Sequence, residues 1–175
     1  AIFVGPGAGV SQQPVGVSQQ SYSGLLVLTK VILKGGASEG SFGSGGVTIN
    51  GGFTKITSCT FLSNHARQGG AIRGSNCVIF YTTFVGNWAS GGGAIFFFGP
   101  ITVVGSTFKS NFATDPSQSS QASGGGAICM PFGGIAYVTN TTFDDNSGGA
   151  IFNTGDITIV HSNFTSNRAS PASAT

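Results

Sequence analysis

The sequence predicts an all-β protein, a right-handed single-stranded parallel β-helix (β-solenoid) of about six coils of about 23 residues each. Two interleaved motifs predict it. One is Phe followed three residues later by Asn, and the other is Gly-Gly-Ala-Ile, with its alanines at Ala71, Ala94, Ala127 and Ala150. Self-similarity at this period indicates a repeat architecture. A unit this short cannot bury its own apolar face, so successive units are expected to stack as coils.

Five copies of the first motif define two columns of equivalent residues. We expect the Phe side chains to stack inside the solenoid. The Asn side chains are expected at a turn, where Asn tolerates the left-handed conformation and bonds the backbone or the Asn of the next coil. The predicted ladders are Phe61, Phe84, Phe108, Phe143 and Phe164, and Asn64, Asn87, Asn111, Asn146 and Asn167.

The residues between the motifs favour strands. The position five residues before each Phe is always β-branched, a type that suits a pleated, half-buried surface. The run Ile157-Thr158-Ile159 alternates apolar and polar residues, the period of a strand. Glycine makes up 30 of the 175 residues, which disfavours helix. A leucine-rich repeat has a similar period, but it requires leucines that this chain lacks.

The repeat pattern also predicts how the chain is organised. Residues 1–45 are expected to form one or two irregular coils with Gly/Ser/Gln-rich loops, and 46–169 the regular coils. The longer interval between Phe108 and Phe143 predicts a polar insertion loop at 114–124, and 170–175 are expected to be a tail or the start of a linker. Neither end resembles a solenoid cap, so a segment of a larger protein is expected.

Composition narrows the class of partner. Only 7% of the residues are charged, and the seven cations are scattered, whereas nucleic-acid binding requires a basic stripe. No apolar run approaches the length of a membrane span, so membrane insertion is not expected. A surface this poor in charge lacks the usual protection against association. We therefore expect protein partners or self-association in an extracellular assembly, and glycans as further candidate partners.

The sequence gives little support for a catalytic site or a metal site. The acids are Glu39, Asp115, Asp144, Asp145 and Asp156, and no two of them share a column in adjacent coils. Glycoside hydrolysis requires paired carboxylates, so we predict no catalytic residue, no metal site and no cofactor. Asp144 is expected to stack beside Lys109 as a surface ion pair. Cys59, Cys77 and Cys129 have no zinc-ligand spacing and are expected to be buried thiols.

Several side chains are candidates for contacts with a partner or ligand. In the run Phe96, Phe97, Phe98 at least one ring is expected to point outward as part of an interface. Trp88 above Phe112 would form a stacking platform for a sugar. The Thr column before each Phe would suit ice binding, although no second Thr column accompanies it. Asn140 and Asn163 begin Asn-X-Thr sequons and are candidate glycosylation sites.

The combined motif, Thr-Phe-X-X-Asn-X-Ala followed by Gly-Gly-Ala-Ile, resembles the repeat of the chlamydial polymorphic outer membrane proteins. It is seen at Thr60 to Ile72 and again at Thr83 to Ile95, and the resemblance covers about residues 46–169. The resemblance implies right-handed parallel β-helices at the cell surface, adhesion and self-assembly.

We therefore expect a non-catalytic, extracellular or cell-surface β-solenoid module, structural or adhesive, from a larger surface, wall or filament protein. The first alternative is a carbohydrate-active β-helix of the polysaccharide lyase or hydrolase kind, or a sugar-binding module. The second alternative is an ice-binding face.

Overall fold

The computed structural model describes residues 2–4, 17–19, 24–38, 43–114 and 124–169. Within these ranges the regular elements are all strands, and every pairing between them is parallel. The strands form four sheets that run side by side along one axis. This confirms the predicted parallel β-solenoid, with about five turns of about 24 residues.

The first sheet follows each Gly-Gly-Ala motif and has seven strands: Ile2–Val4, Val17–Gln19, Val47–Ile49, Ile72–Gly74, Ile95–Phe97, Ile128–Met130 and Ile151–Asn153. The second sheet has six: Leu25–Thr29, Phe53–Thr57, Cys77–Phe80, Ile101–Val104, Ala136–Thr139 and Ile157–Val160. The third sheet carries the Phe column: Ile32–Lys34, Thr60–Leu62, Thr83–Val85, Thr107–Lys109, Thr142–Asp144 and Asn163–Thr165. The fourth sheet has four: Ala37–Ser38, His65–Gln68, Trp88–Gly91 and Phe112–Ala113.

Equivalent residues of successive coils pair directly. Phe84 pairs with Phe61 on one side and with Phe108 on the other, and Ile72 pairs with Ile95. In the second sheet alternate residues are buried, as at Ile101–Val104. A slip of one residue would turn a whole strand inside out, so this alternation holds the register.

The turn before each Asn differs from the prediction in one respect. The left-handed residue is the one that precedes Asn, while Asn itself turns its side chain inward. The φ angles at these preceding positions are 51° at Ser63, 59° at Gly86, 50° at Ser110, 54° at Asp145 and 52° at Ser166. The left-handed residue reverses the chain direction, and this leaves the Asn amide free to enter the interior.

Both glycines of the Gly-Gly-Ala-Ile motif are required by close backbone approaches. Gly92 is left-handed, with φ of 61°, and a Cβ there would collide with the carbonyl of Ile95. A Cβ on Gly93 would collide with the carbonyl of Gly126 in the next coil. The motif is therefore a corner in which adjacent coils approach too closely for any side chain.

Regular stacking begins earlier than predicted. Leu26 pairs in register with Thr54, and Leu33 pairs with Phe61. Residues 24–38, which fall within the predicted irregular region 1–45, therefore belong to the regular solenoid. Most of the predicted insertion loop, at 115–123, and the tail at 170–175 lie outside the described residues. In the part of the chain that the structure describes, no helix is long and apolar enough to span a membrane.

Candidate functional surfaces

The Phe column forms a continuous aromatic stack inside the solenoid. Consecutive ring centroids from Phe61 to Phe164 are 4.9, 4.6, 5.0 and 4.7 Å apart, and the rings are within 10° of parallel. The first four rings are fully buried, and Phe164 is 43% exposed. Leu33 occupies the same position in the preceding coil. The four buried rings are core, so they offer no surface to a ligand.

The Asn column forms a hydrogen-bonded ladder beside that stack. The Oδ1 atom of Asn87 accepts bonds of 3.0 Å from both the backbone N–H and the Nδ2 of Asn64, and the pattern repeats at each step to Asn167. Each Nδ2 also donates to a carbonyl of the preceding coil, as Asn87 does to Phe61 at 3.0 Å. Gly36, which has no side chain, ends the ladder by donating its N–H to Asn64.

A second polar ladder escaped sequence reasoning. At the position two before each Phe, the hydroxyl oxygens of Thr82, Ser106, Thr141 and Ser162 accept from the backbone N–H of the preceding coil at 3.1 to 3.4 Å. Each hydroxyl donates to the carbonyl two residues earlier, as Thr82 does to Phe80 at 2.9 Å. The signal in the sequence was the hydroxyl residue in this column in four consecutive coils.

The repeat can be compared with known protein families. The family model of the Chlamydia polymorphic membrane protein repeat matches residues 58–75, 81–97 and 105–131. At these three places the chain is similar to that repeat. No curated protein and no solved structure matches the chain. A polymorphic membrane protein repeat folded as a β-solenoid fits a surface β-helix module.

Each matched stretch covers the same three strands of a coil. Residues 58–75 include Thr60–Leu62, His65–Gln68 and Ile72–Gly74, which belong to the third, fourth and first sheets. The second-sheet strands Cys77–Phe80 and Ile101–Val104 lie between the matches. The matched stretches therefore cover the laddered part of the coil, and the second-sheet strands lie between them.

The Phe96 to Phe98 run requires a correction. Phe97 is fully buried in the core, and Phe96 is fully buried against the edge of Phe98, with ring centroids 5.1 Å apart. The interpretation of Phe96 and Phe97 as interface residues is therefore wrong. Phe98 is 38% exposed and is the one ring of the three that reaches the surface.

Trp88 and Phe112 lie side by side on the outer face of the fourth sheet, and each is 44% exposed. One face of the Trp88 indole is covered by His65, whose ring is 4.6 Å away and within 4° of parallel. Trp88 thus lies between His65 and Phe112 along the axis, and nearly half of its surface stays exposed.

The described acids Asp144 and Asp145 bond different partners. Asp144 bonds Lys109 at 3.2 Å and Thr165 at 2.9 Å, and these partners hold the pKa of its carboxyl below the usual value. Asp145 accepts from Ser110 instead. Glu39 and Asp115 lie outside the described residues, and within those described no group of three His, Cys, Asp or Glu side chains suits a metal ion.

The three cysteines are buried, and none forms a disulfide. Burial raises the pKa of the Cys77 thiol far above its usual value. Burial also raises the pKa of Cys129 to about 12, against the weaker opposing effect of a backbone hydrogen bond from Gly92. A thiol of this kind is protonated at neutral pH and is a poor nucleophile.

The asparagines of both sequons are exposed, whereas Thr141 of the first sequon is buried. Asn140 lies at a turn with φ of 50°, and Asn163 begins the strand Asn163–Thr165. The Thr column of the third sheet stacks in register, but in two coils it is flanked by Lys109 and Asp144. That charged flank differs from the flat, uncharged rows expected of an ice-binding surface.

The outer face of the second sheet carries apolar side chains in every coil. We call it the second-sheet face. Its apolar residues and single lysine are Leu25, Val27, Phe53, Lys55, Val78, Phe80, Val104, Tyr137 and Val160, and the threonines of the same two columns are Thr29, Thr57, Thr102, Thr139 and Thr158. Its single cation, Lys55, lies with Nζ 5.8 Å from the ring centroid of Phe80.

Proposed function

We propose that this chain is a non-catalytic, extracellular β-solenoid module that serves a structural or adhesive role in a larger cell-surface, wall or filament protein. The division of the coil supports this. The polymorphic membrane protein repeat supplies the internal ladders, and the second sheet between the repeats supplies an apolar outer face. The partners we propose are other proteins or further copies of the module.

The second-sheet face is the observation that carries this proposal. Contiguous exposed apolar patches on soluble proteins mark interaction sites. Tyr137 is 54% exposed, and Val27 and Leu25 are exposed on the far strand of the same sheet, with Thr102, Val78 and Lys55 between Tyr137 and Val27. Flat sheet faces pack against one another at about 10 Å through apolar side chains, so a second sheet surface is the partner geometry that fits.

Sedimentation velocity over a range of concentrations tests this proposal. The wild-type chain is expected to form larger species as its concentration rises. The double variant Val78→Lys/Tyr137→Lys places two cations on the second-sheet face and is expected to sediment as a monomer. The matched control, Leu62→Lys/Val85→Lys, places two cations on the outer face of the third sheet and is expected to behave as wild type.

Two outcomes would contradict the assembly role. One is a wild-type chain that stays monomeric at every concentration. The other is a Val78→Lys/Tyr137→Lys variant that associates as strongly as wild type. A module that adheres only to a different protein would stay monomeric at every concentration. The proposal that copies of the module associate with one another would then be wrong.

Sugar binding without catalysis is the second candidate, and the exposed Trp88 and Phe112 favour it. The chain has one tryptophan, so quenching of its fluorescence by an oligosaccharide reports on this platform alone. A saturable change that disappears in Phe112→Ala would support it. Fluorescence that stays constant over millimolar concentrations of neutral and acidic hexasaccharides would count against it.

A further inference from the structure

The corner where each coil passes from the first to the second sheet differs between coils. The connecting residues are Asn50–Gly52 in one coil, Ser75 and Asn76 in the next, Phe98–Pro100 in the third and 131–135 in the fourth. Asn76 and Phe98 also lie outside the residues matched by the polymorphic membrane protein repeat. Arg73 and Ser75 lie at the end of one matched stretch, so this corner begins where the match to the repeat stops.

A groove follows this corner across three coils. We call it the corner groove. The residues that line it include Asn50, Gly51, Arg73, Ser75, Asn76 and Phe98. No carboxylate lines it among the described residues. It lies apart from the Trp88 platform, which is on the fourth sheet.

Phe98 forms a rigid wall of the groove. The guanidinium carbon of Arg73 lies 4.7 Å from the centroid of its ring on one side, and the ring of Phe132 stacks 5.5 Å away. Phe96 also meets this ring, at 65° with centroids 5.1 Å apart, and since Phe98 is still 38% exposed, the exposed part of its edge is what lines the groove. An aromatic edge carries partial positive charge and favours contact with oxygen atoms.

Two amides complete the polar lining. Asn50 and Asn76 are exposed, and among the described residues neither side-chain amide has a hydrogen-bond partner. Asn76 has φ of 53°, so its backbone position is fixed by the turn. The Ser75 hydroxyl lies beside it. Amides and hydroxyls that can both donate and accept match the paired donor and acceptor character of sugar hydroxyls.

We propose that the corner groove binds a linear oligosaccharide, with Asn50 and Asn76 bonding its hydroxyls and the edge of Phe98 contacting its ring oxygens. Concave sites that combine apolar walls with a few convergent polar groups are typical ligand sites. The proposal deepens the adhesive role proposed above, since it names a glycan as the ligand, and it rests on that role.

Isothermal titration calorimetry of the full chain tests the proposal, with cellohexaose as the neutral probe and a hexamer of galacturonic acid as the acidic one. At least one probe is expected to bind. Asn76→Gly removes the amide but tolerates the left-handed backbone, and it is expected to weaken binding about tenfold. Asn140→Gly is the matched control, because Asn140 is also exposed with φ of 50° but lies at another corner.

Three results would overturn the proposal. The first is that neither hexamer binds, and the second is that Asn76→Gly binds as tightly as Asn140→Gly. The third is binding lost in Phe112→Ala but retained in Asn76→Gly, which would place the sugar on the Trp88 platform. Asn76 lies outside the second-sheet face, so the two proposals can fail separately. If the chain self-associates but binds neither hexamer, the glycan proposal is wrong and the proposed assembly role stands.

Discussion

The side-chain oxygen of Asn111 accepts two hydrogen bonds of 3.0 Å from Asn87, one from its backbone N–H and one from its Nδ2. Both residues are fully buried. An unpaired buried donor costs about 1–3 kcal/mol, so this shared acceptor satisfies two groups that would otherwise oppose folding. The same pair of bonds at each step joins successive coils from within.

Replacing an Asn inside the ladder is therefore expected to be costly. Asn111→Ala leaves two donors of Asn87 unpaired and removes the bond from its own Nδ2 to Phe84, so we expect a loss of about 3–5 kcal/mol in unfolding free energy. Urea denaturation followed by circular dichroism measures it. Asn167→Ala is the control, because Asn167 is only half-buried and water can replace its bonds. A loss as large at Asn167 as at Asn111 would contradict this explanation.

The Phe stack predicts a similar contrast. Phe108→Ala removes a fully buried ring between two others and should cost about 3–5 kcal/mol of unfolding free energy, because a cavity remains. Phe164→Ala should cost less than half as much, since that ring is 43% exposed. Thermal and urea unfolding of the two variants, together with Phe108→Leu as a milder change, tests the expected order. Equal losses would argue against an interior stack.

The Gly-Gly-Ala-Ile corner should reject even one methyl group. Gly93→Ala directs a Cβ at the carbonyl of Gly126 and is expected to destabilise the chain by several kcal/mol, or to prevent folding. Gly133→Ala is the comparison, because Gly133 has φ of 76° and open space around a Cβ, so only backbone strain of about 1 kcal/mol is expected. Soluble yield and melting temperature report both. A tolerated Gly93→Ala would show that the coils can separate.

The buried thiols predict a loss of stability in alkali. Since burial raises the pKa of Cys129 to about 12, the folded state keeps a proton that an unfolded thiol loses near pH 8.5. The contribution of the protonated Cys129 thiol to the free energy of unfolding is complete below about pH 8.5. It falls by about 1.4 kcal/mol per pH unit as the pH rises toward 12. We would unfold wild type and Cys129→Ala in urea with reductant at pH 7.5 and at pH 10. The difference between the two proteins isolates the pH-dependent contribution of Cys129. Parallel losses in the two proteins would refute it.

The interior columns could be predicted from the sequence because each repeats the same residue type. Phe in five coils identifies a core position, and Asn three residues later identifies a corner. The hydroxyl ladder was harder to see, since Thr82 and Ser106 are types that occur mostly on surfaces. Their burial depends on how the corner between the second and third sheets turns, which is a property of stacked coils rather than of one sequence window.

The surface candidates were less predictable for a related reason. Arg73 and Phe96 pair in register in the first sheet and lie outside the core cluster. Both are nevertheless buried, Arg73 against Gln68 and Phe98, and Phe96 against Phe98. Cover of this kind comes from corners that differ between coils. The corner groove was likewise invisible, since Asn50 and Asn76 become neighbours only when the coils stack.

Amide hydrogen exchange by nuclear magnetic resonance tests most directly whether the Asn column is an internal ladder that supports a surface module. The backbone N–H groups of Asn64, Asn87 and Asn111 donate to buried side-chain oxygens and are expected to exchange among the slowest in the chain. The exposed turn at Gly133 supplies the comparison. Exchange at these three Asn residues as fast as at Gly133 would contradict the ladder and the architecture built on it.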